Sequence, residues 1–180
     1  MIGLLRWTIF IAVVASAFHW LAVMIAPNFI MSRVLTVLER NSRGGIAFGD
    51  RPTADSRQIV RPSPDLLYST CVFDVSRSPM KITTATPTDT YWSVALYADN
   101  TDNFFVLNDT QAKGVPATIL LIGQGQTVPN QQPGVIVVSA PSSRGLVLFR
   151  TLIIDDARLA EIDQQRRQSS CDTIFPNELK

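Results

Sequence analysis

Between Arg6 and Arg33 the chain carries no Asp, Glu, Lys or Arg over 26 consecutive residues, Trp7–Ser32. As a helix rising 1.5 Å per residue, such a run spans roughly 39 Å, more than the ~30 Å hydrocarbon core of a bilayer. Trp7, His19 and Trp20 are its bulky amphipathic side chains, and Asn28 after Pro27 places the end of the well-packed apolar part near Ala26. Two readings compete. Ala15-Ser16-Ala17 is a small-x-small box of the kind cut in secretory signal peptides. Cleavage there leaves an apolar stretch of only about eight residues ahead of the box, and keeps the equally apolar Leu21–Ala26 on the mature protein. The sequence therefore favours an uncleaved anchor over residues 1–32, meeting the bilayer through residues 7–32. A buried core helix, the third reading, would show a polar face.

The orientation of such an anchor is nearly a tie by charge. Arg6 and the α-amino group stand on one side, and Arg33, Arg40 and Arg43, offset by Glu39, on the other. Lys and Arg near the span set topology, so the short leading tail decides: N-terminus inside, C-terminal domain outside.

The overall balance of 16 Lys plus Arg against 15 Asp plus Glu gives a net charge of +1. A general nucleic-acid binder needs a basic surface to engage phosphates, so nucleic acid is not an expected partner. Charged residues make up only 17% of the chain. With the first 32 residues set aside the fraction rises to about a fifth, close to the roughly one quarter of ordinary soluble domains. Disorder does not fit a chain that is 46% hydrophobic.

Residues 33–57 read as a juxtamembrane helix and linker. Ile30, Val34, Val37 and Leu38 share one helical face, Asn41-Ser42-Arg43-Gly44-Gly45 stops the helix, and Asp50–Arg57 is rich in turn formers. Residues 58–154 carry β signals at short spacing. The candidates are Leu66–Val75, Met80–Thr84, Tyr91–Ala98, Phe104–Leu107, Thr118–Ile122, Val135–Ser139 and Gly145–Ile153. Between them lie a Pro87-to-Asp89 turn, Asp99–Asn103, Pro129–Gly134 and Pro141–Gly145. Short strands with turn signals at this spacing predict a mainly β domain, an antiparallel, jelly-roll-like sandwich. Residues 155–180 supply a short C-terminal helix and tail: Asp155-Asp156 reads as its N-cap, Leu159 and Ile162 lie one turn apart, and Asp163 can pair with Arg167 on the exposed side.

Chemistry is sparse. The single His, His19, lies in the apolar span, so the soluble part holds no Ser–His or Cys–His nucleophile pair. Metal-ligand spacing is absent, no metal or cofactor is expected, and Glu39, Glu161 and Glu178 all fall outside the β body. Gly123-Gln124-Gly125 follows a strand but leads to Pro129 rather than a helix, so it reads as a hairpin turn and not a phosphate cradle. Asp99–Asn103 is rich in oxygen ligands but lacks the spacing and the bidentate Glu of an EF-hand, and an Asx turn accounts for it. Cys71 sits in a strong strand and Cys171 follows the terminal helix; in an oxidising compartment the two can form a disulfide, against the alternative of two unrelated thiols. The remaining candidates for ligand binding are Asp65, Tyr68, Tyr91, Trp92, Tyr97 and Asp99, whose Tyr and Trp members offer an apolar body with a polar handle. Such residues also serve as plain core and corner residues.

Arg61-Pro62-Ser63-Pro64-Asp65-Leu66-Leu67-Tyr68-Ser69 resembles the Asp-x-Leu-Tyr-Ser signature of the domain-of-unknown-function family 1254. Asp74 ending the strand, Pro79, Tyr91-Trp92-Ser93 and the Asn/Asp-rich turn to Phe104 fit the same family, over about residues 58–154. The usual Asn ahead of the signature is replaced here by Ser63-Pro64. The resemblance is to a short, membrane-anchored bacterial subgroup and implies an exported β-rich domain on a single-pass inner-membrane protein, facing the periplasm. Longer members carry a companion domain of the related family 1214, which would here have to act in trans. The resemblance brings no catalytic residues. Two functions follow as expectations: an envelope binding or interaction module, or an enzyme of unassigned reaction using Asp65 with Tyr68 and Tyr91 as an acid–base group.

Overall fold

The computed structural model describes residues 2–42, 45–57, 61–85, 87, 89–127 and 133–174. Helix α1 (Ile2–Ser42) is followed by strands β1 (Ala47–Phe48), β2 (Leu66–Asp74), β3 (Met80–Thr83), β4 (Trp92–Ala98), β5 (Asn103–Asn108), β6 (Thr118–Ile122), β7 (Val135–Ser139) and β8 (Arg144–Leu152). A single 3-10 turn (Asp156–Arg158) leads into α2 (Leu159–Arg166), and β9 (Ser170–Thr173) closes the described chain.

The strands form two sheets, ordered β1-β2-β8-β4-β5 and β7-β6-β3-β9. The long strands behave as their alternation requires, because successive side chains leave a strand on opposite faces. In β2, Leu67, Ser69, Cys71 and Phe73 point inward, and β8 buries Gly145, Val147, Phe149 and Thr151 in the same register. Of these, Cys71, Phe73, Val147 and Phe149 meet Met80, Ile82, Ile119 and Leu121 of the other sheet in one shared core. Phe73 lies directly opposite Gly145, and a Cβ there would collide with the Phe73 ring and the Tyr97 carbonyl. Glycine at this point lets a phenylalanine lie flat over the neighbouring strand.

All seven expected strands are present, Thr118–Ile122 and Val135–Ser139 with the expected bounds and the others with ends shifted by one residue, and two short strands are added, β1 and β9. One pairing departs from the expected antiparallel arrangement: β6 and β7 run parallel. Antiparallel neighbours can be joined by a tight turn, whereas parallel ones need a crossover of about a dozen residues. The segment between Ile122 and Val135 has that length. Gly123-Gln124-Gly125 does form a turn, with Gly125 at φ 77° and the Gln126 amide bonded to the Gly123 carbonyl. It opens this crossover and is not the turn of a hairpin. The Asp99–Asn103 segment is an Asx turn: the Asp102 amide donates to Asn100 Oδ1 at 3.1 Å, and Thr101 takes a φ of 74°. Arg43 and Gly44 of the expected helix stop, Thr88 of the Pro87-to-Asp89 turn, and residues 129–132 of the Pro129–Gly134 separator lie outside the described residues.

Helix α1 has two parts. Its most apolar window has a mean hydropathy of 2.3 with no residue buried, and apolar side chains from Ile2 to Ile30 are exposed. Past Pro27 the helix continues and its last turns pack against β1, β2 and β8. The face that docks is centred on Met31 and Leu35, 5% and 3% exposed, with Val34 and Leu38 of the expected face half-buried beside them, whereas Ile30 and Val37 of that face are 56% and 49% exposed. Spacing alone cannot choose between two apolar stripes one residue apart; the sheet edge does. Near the helix end Glu39 pairs with Arg144 at the start of β8.

Candidate functional site

The outward residues of β2, β8, β4 and β5 line up by register into rows across the five-stranded sheet. One row runs Tyr68, Arg150, Ser93, Asn108, and the next Thr70, Leu148, Ala95, Val106. Arg150 reaches along the sheet and donates from Nη2 to the Tyr97 hydroxyl at 3.2 Å. Beneath it Ser93 is 2% exposed, and its Oγ has no hydrogen-bond partner among the described residues. The outer face thus combines two phenols, one guanidinium and a buried hydroxyl, framed by half-buried Leu146, Leu148 and Leu152. Such a surface can recognise an extended chain or an anionic group through Arg150, whose planar fork is suited to carboxylates and phosphates.

The six candidate ligand-binding residues do not gather at one point. Tyr68 and Tyr97 share this outer face, linked through the Arg150 row. Trp92 points the other way, 2% exposed in the core. Tyr91, 41% exposed, and Asp65 flank the end of β8, where their backbone carbonyls accept from Leu152 and Ile153. Asp99 lies at the opposite end of β4, its amide donating to Ser142 Oγ. Among the described residues no three His, Cys, Asp or Glu side chains come together as a metal cluster would.

The signature segment has a local job. The Ser63 amide donates to the Tyr68 hydroxyl at 2.9 Å, and the Ser63 side chain accepts from the Asp65 amide, which folds residues 63–68 into a closed turn. Tyr68 and Ser69 then form a socket for Arg166 of α2. This arginine is 3% exposed. Its Nη1 donates to the Tyr68 carbonyl at 2.9 Å and to Ser69 Oγ at 2.8 Å. Its Nη2 donates to the Gly49 carbonyl at 2.7 Å and its Nε to Asp163 Oδ1 at 2.7 Å. Phe48 lies under both Arg166 and Arg167, at 5.6 and 5.2 Å from the ring centre. Ile162, fully buried, packs with Leu67, Ile153 and Leu159 beside this polar knot. A hollow of about 400 Å³ opens beside the knot, bordered by Asp50, Arg51, Asp156, Asp163 and Arg166.

Charge is organised around these contacts. Burial works against ionisation of Asp163, but hydrogen bonds from Arg167 and Arg166 outweigh it and hold its carboxyl below the ordinary value. Desolvation likewise opposes the Asp74 charge, and hydrogen bonds from Ser76 prevail, so its pKa is also lowered. Arg158 hydrogen-bonds Glu161 and Asp89, which lowers both carboxyls. The Asp155 side chain caps the 3-10 turn by accepting from the Ala157 amide at 2.9 Å, and Asp163 bonds Arg167 at 2.7 Å, both as the residue pattern indicates.

Arg166, Arg150 and Ser93 escape a reading based on residue type. Arg166 carries a signal in retrospect, since it falls four residues after Ile162 on the inward face of α2.

The family model described as "Protein of unknown function (DUF1254)" matches residues 46–173. The chain belongs to this family. The DUF1254 match begins at Ile46 and ends at Thr173, so it takes in every strand from β1 to β9, together with α2, and leaves out α1. Among solved structures, the VPA0106 protein from Vibrio parahaemolyticus is similar with a TM-score of 0.56 at 16% identity, over 62% of this chain and 28% of that one. An uncharacterised protein from Burkholderia cenocepacia aligns over 89% of this chain and 42% of its own, with a TM-score of 0.48 at 18% identity. The DUF1254 chain thus spans less than half of either protein, and the first likeness speaks to the fold alone. No curated protein matches the sequence.

Proposed function

We propose that this DUF1254 protein is a single-pass inner-membrane protein of a bacterial envelope that displays a jelly-roll-like sandwich in the periplasm as a binding or interaction module. The observation that carries the reading is the division of α1. Its apolar residues through Ile30 are exposed over a length sufficient to cross a bilayer, while Met31 and Leu35 are buried against the sandwich. A lipid-facing segment rigidly continuous with a docked one holds the β domain at the membrane surface.

The surface offered for binding is the outer sheet face around Tyr68, Arg150 and Tyr97. A companion domain of the related family 1214, supplied in trans, is the partner this reading favours. Support comes from the half-buried leucines of β8 on that face and from the buried Ser93 hydroxyl beneath Arg150, which has no partner among the described residues. Native purification in mild detergent tests the role. A stable heteromeric complex, weakened by Arg150→Glu without loss of folding, is expected; a monodisperse monomer with nothing bound contradicts it.

A further inference from the structure

Cys71 and Cys171 come from different sheets. Cys71 lies at the middle of β2, opposite Val147, with its side chain directed inward and only 2% exposed. Cys171 lies on β9, opposite Ile82, and its half-buried side chain packs against the same core cluster that contains Cys71. The β9 strand has four residues and sits at the edge of its sheet, bonded to β3 alone. Among the described residues it is held by that ladder, the Ile174–Pro79 backbone bond and the contact made by Cys171.

We infer that Cys71 and Cys171 form an inter-sheet disulfide that fastens the edge strand β9 to β2 of the opposite sheet. The inference rests on the periplasmic placement proposed above, because disulfides persist in oxidising compartments. Both stand as free thiols in the structure. Burial, together with interaction with the neighbouring Cys71 thiol, pushes the Cys171 thiol up, which agrees with two cysteines packed in the same core cluster. The more accessible Cys171 is the entry point. As a thiolate it attacks a disulfide oxidant of the dithiol-oxidase or glutathione-disulfide class, giving a mixed disulfide and releasing one thiol. The Cys71 thiolate then attacks Cys171 Sγ and expels the second thiol. Two protein thiols lose two electrons and two protons, and the oxidant's disulfide takes up both.

The closed loop of about 100 residues should make the oxidised form on the order of a thousand-fold less prone to unfold than the reduced form. The test uses full-length protein, with thiols trapped by alkylation in acid before lysis and tryptic digestion without reductant. Residues 58–77 and 168–180, which carry the two cysteines, should be recovered as one linked species. Recovery of both peptides alkylated, in cells where a C-terminal reporter is active only in the periplasm, overturns the disulfide while leaving the placement intact. A reporter active only in the cytoplasm overturns the placement instead. The pair is then judged on purified protein equilibrated with oxidised glutathione at alkaline pH: linked peptides support it, and glutathione held on Cys171 alone overturns it. Cys171→Ser and Cys71→Ala, whichever folds better, serve as the unlinked reference for the denaturation shift.

Discussion

Arg166 donates to the main-chain carbonyl of Tyr68 at 2.9 Å, across 98 residues of sequence. Through this bond and its neighbours, the most recognisable motif of the chain becomes the seat of the C-terminal helix. A buried guanidinium is tolerable only when its donors are matched, since an unpaired buried charge is costly. Here Asp163 supplies the countercharge and Tyr68, Ser69 and Gly49 supply the oxygens. The same guanidinium touches β2, the segment after β1, and α2, so it joins the sheet edge that α1 also contacts to the end of the domain.

Replacing Arg166 should therefore be severe. Arg166→Met keeps the apolar stem but strands the oxygens and weakens the hold on Asp163, and a loss of about 3 kcal/mol is expected, the lower end for breaking a buried pair. Arg166→Lys should recover only part of it, because one ammonium cannot reproduce the planar fork. Urea denaturation of the detergent-solubilised protein measures both; a change within about 0.5 kcal/mol, typical of surface positions, would show that the socket does not hold the helix.

Acid should loosen the same junction. The Asp163 pKa is lowered in the folded protein, so the unfolded chain takes up its proton more readily. Its contribution is complete above the ordinary aspartate value of about 3.9 and is lost as pH falls through the folded-state value. Asp163→Asn should flatten the acid side of the stability profile and leave less to lose there. Denaturation midpoints measured from neutral to acidic pH check this, and an unchanged acid slope in the variant would assign the slope to other carboxylates.

The docked end of α1 offers a contrast between apolar burial and surface charge. Leu35→Ala should cost about 2 kcal/mol, near the lower end for a buried leucine. Glu39→Ala removes a pair whose side chains are each 44% exposed, and less than about 1 kcal/mol is expected for an exposed ion pair. Thermal unfolding followed together with hydrogen exchange in β1 and β2 separates the two; equal effects would mean that the Glu39–Arg144 pair, rather than the apolar face, seats the helix.

Much of this fold was legible because burial imposes a period. Leu67, Cys71 and Phe73 recur every second residue or multiple of it, and the strand follows from that alternation. β9 gave no such cue: Ser170-Cys171-Asp172-Thr173 is polar and short, and it is a strand because β3 presents an open ladder. β1 is two residues long, and no periodicity exists at that length. The parallel β6–β7 pair was hidden because strand pattern does not encode direction, which here depends on the length of the crossover. Of the candidate site, the tyrosines Tyr68 and Tyr97 could be picked out by type, but Arg150 and Ser93 are brought to them by β8 and β4 register. Arg166 falls one turn after Ile162, but local sequence does not reveal that the Tyr68, Ser69 and Gly49 oxygens meet it on the other side.

The central claim is that the sandwich is permanently tethered by α1. Alkaline carbonate extraction of membranes, with the intact mass of the recovered protein, tests it most directly. The account predicts a full-length chain that stays with the membrane pellet, its first residues and the Ala15-Ser16-Ala17 box still attached. A soluble product that begins just after that box would contradict it.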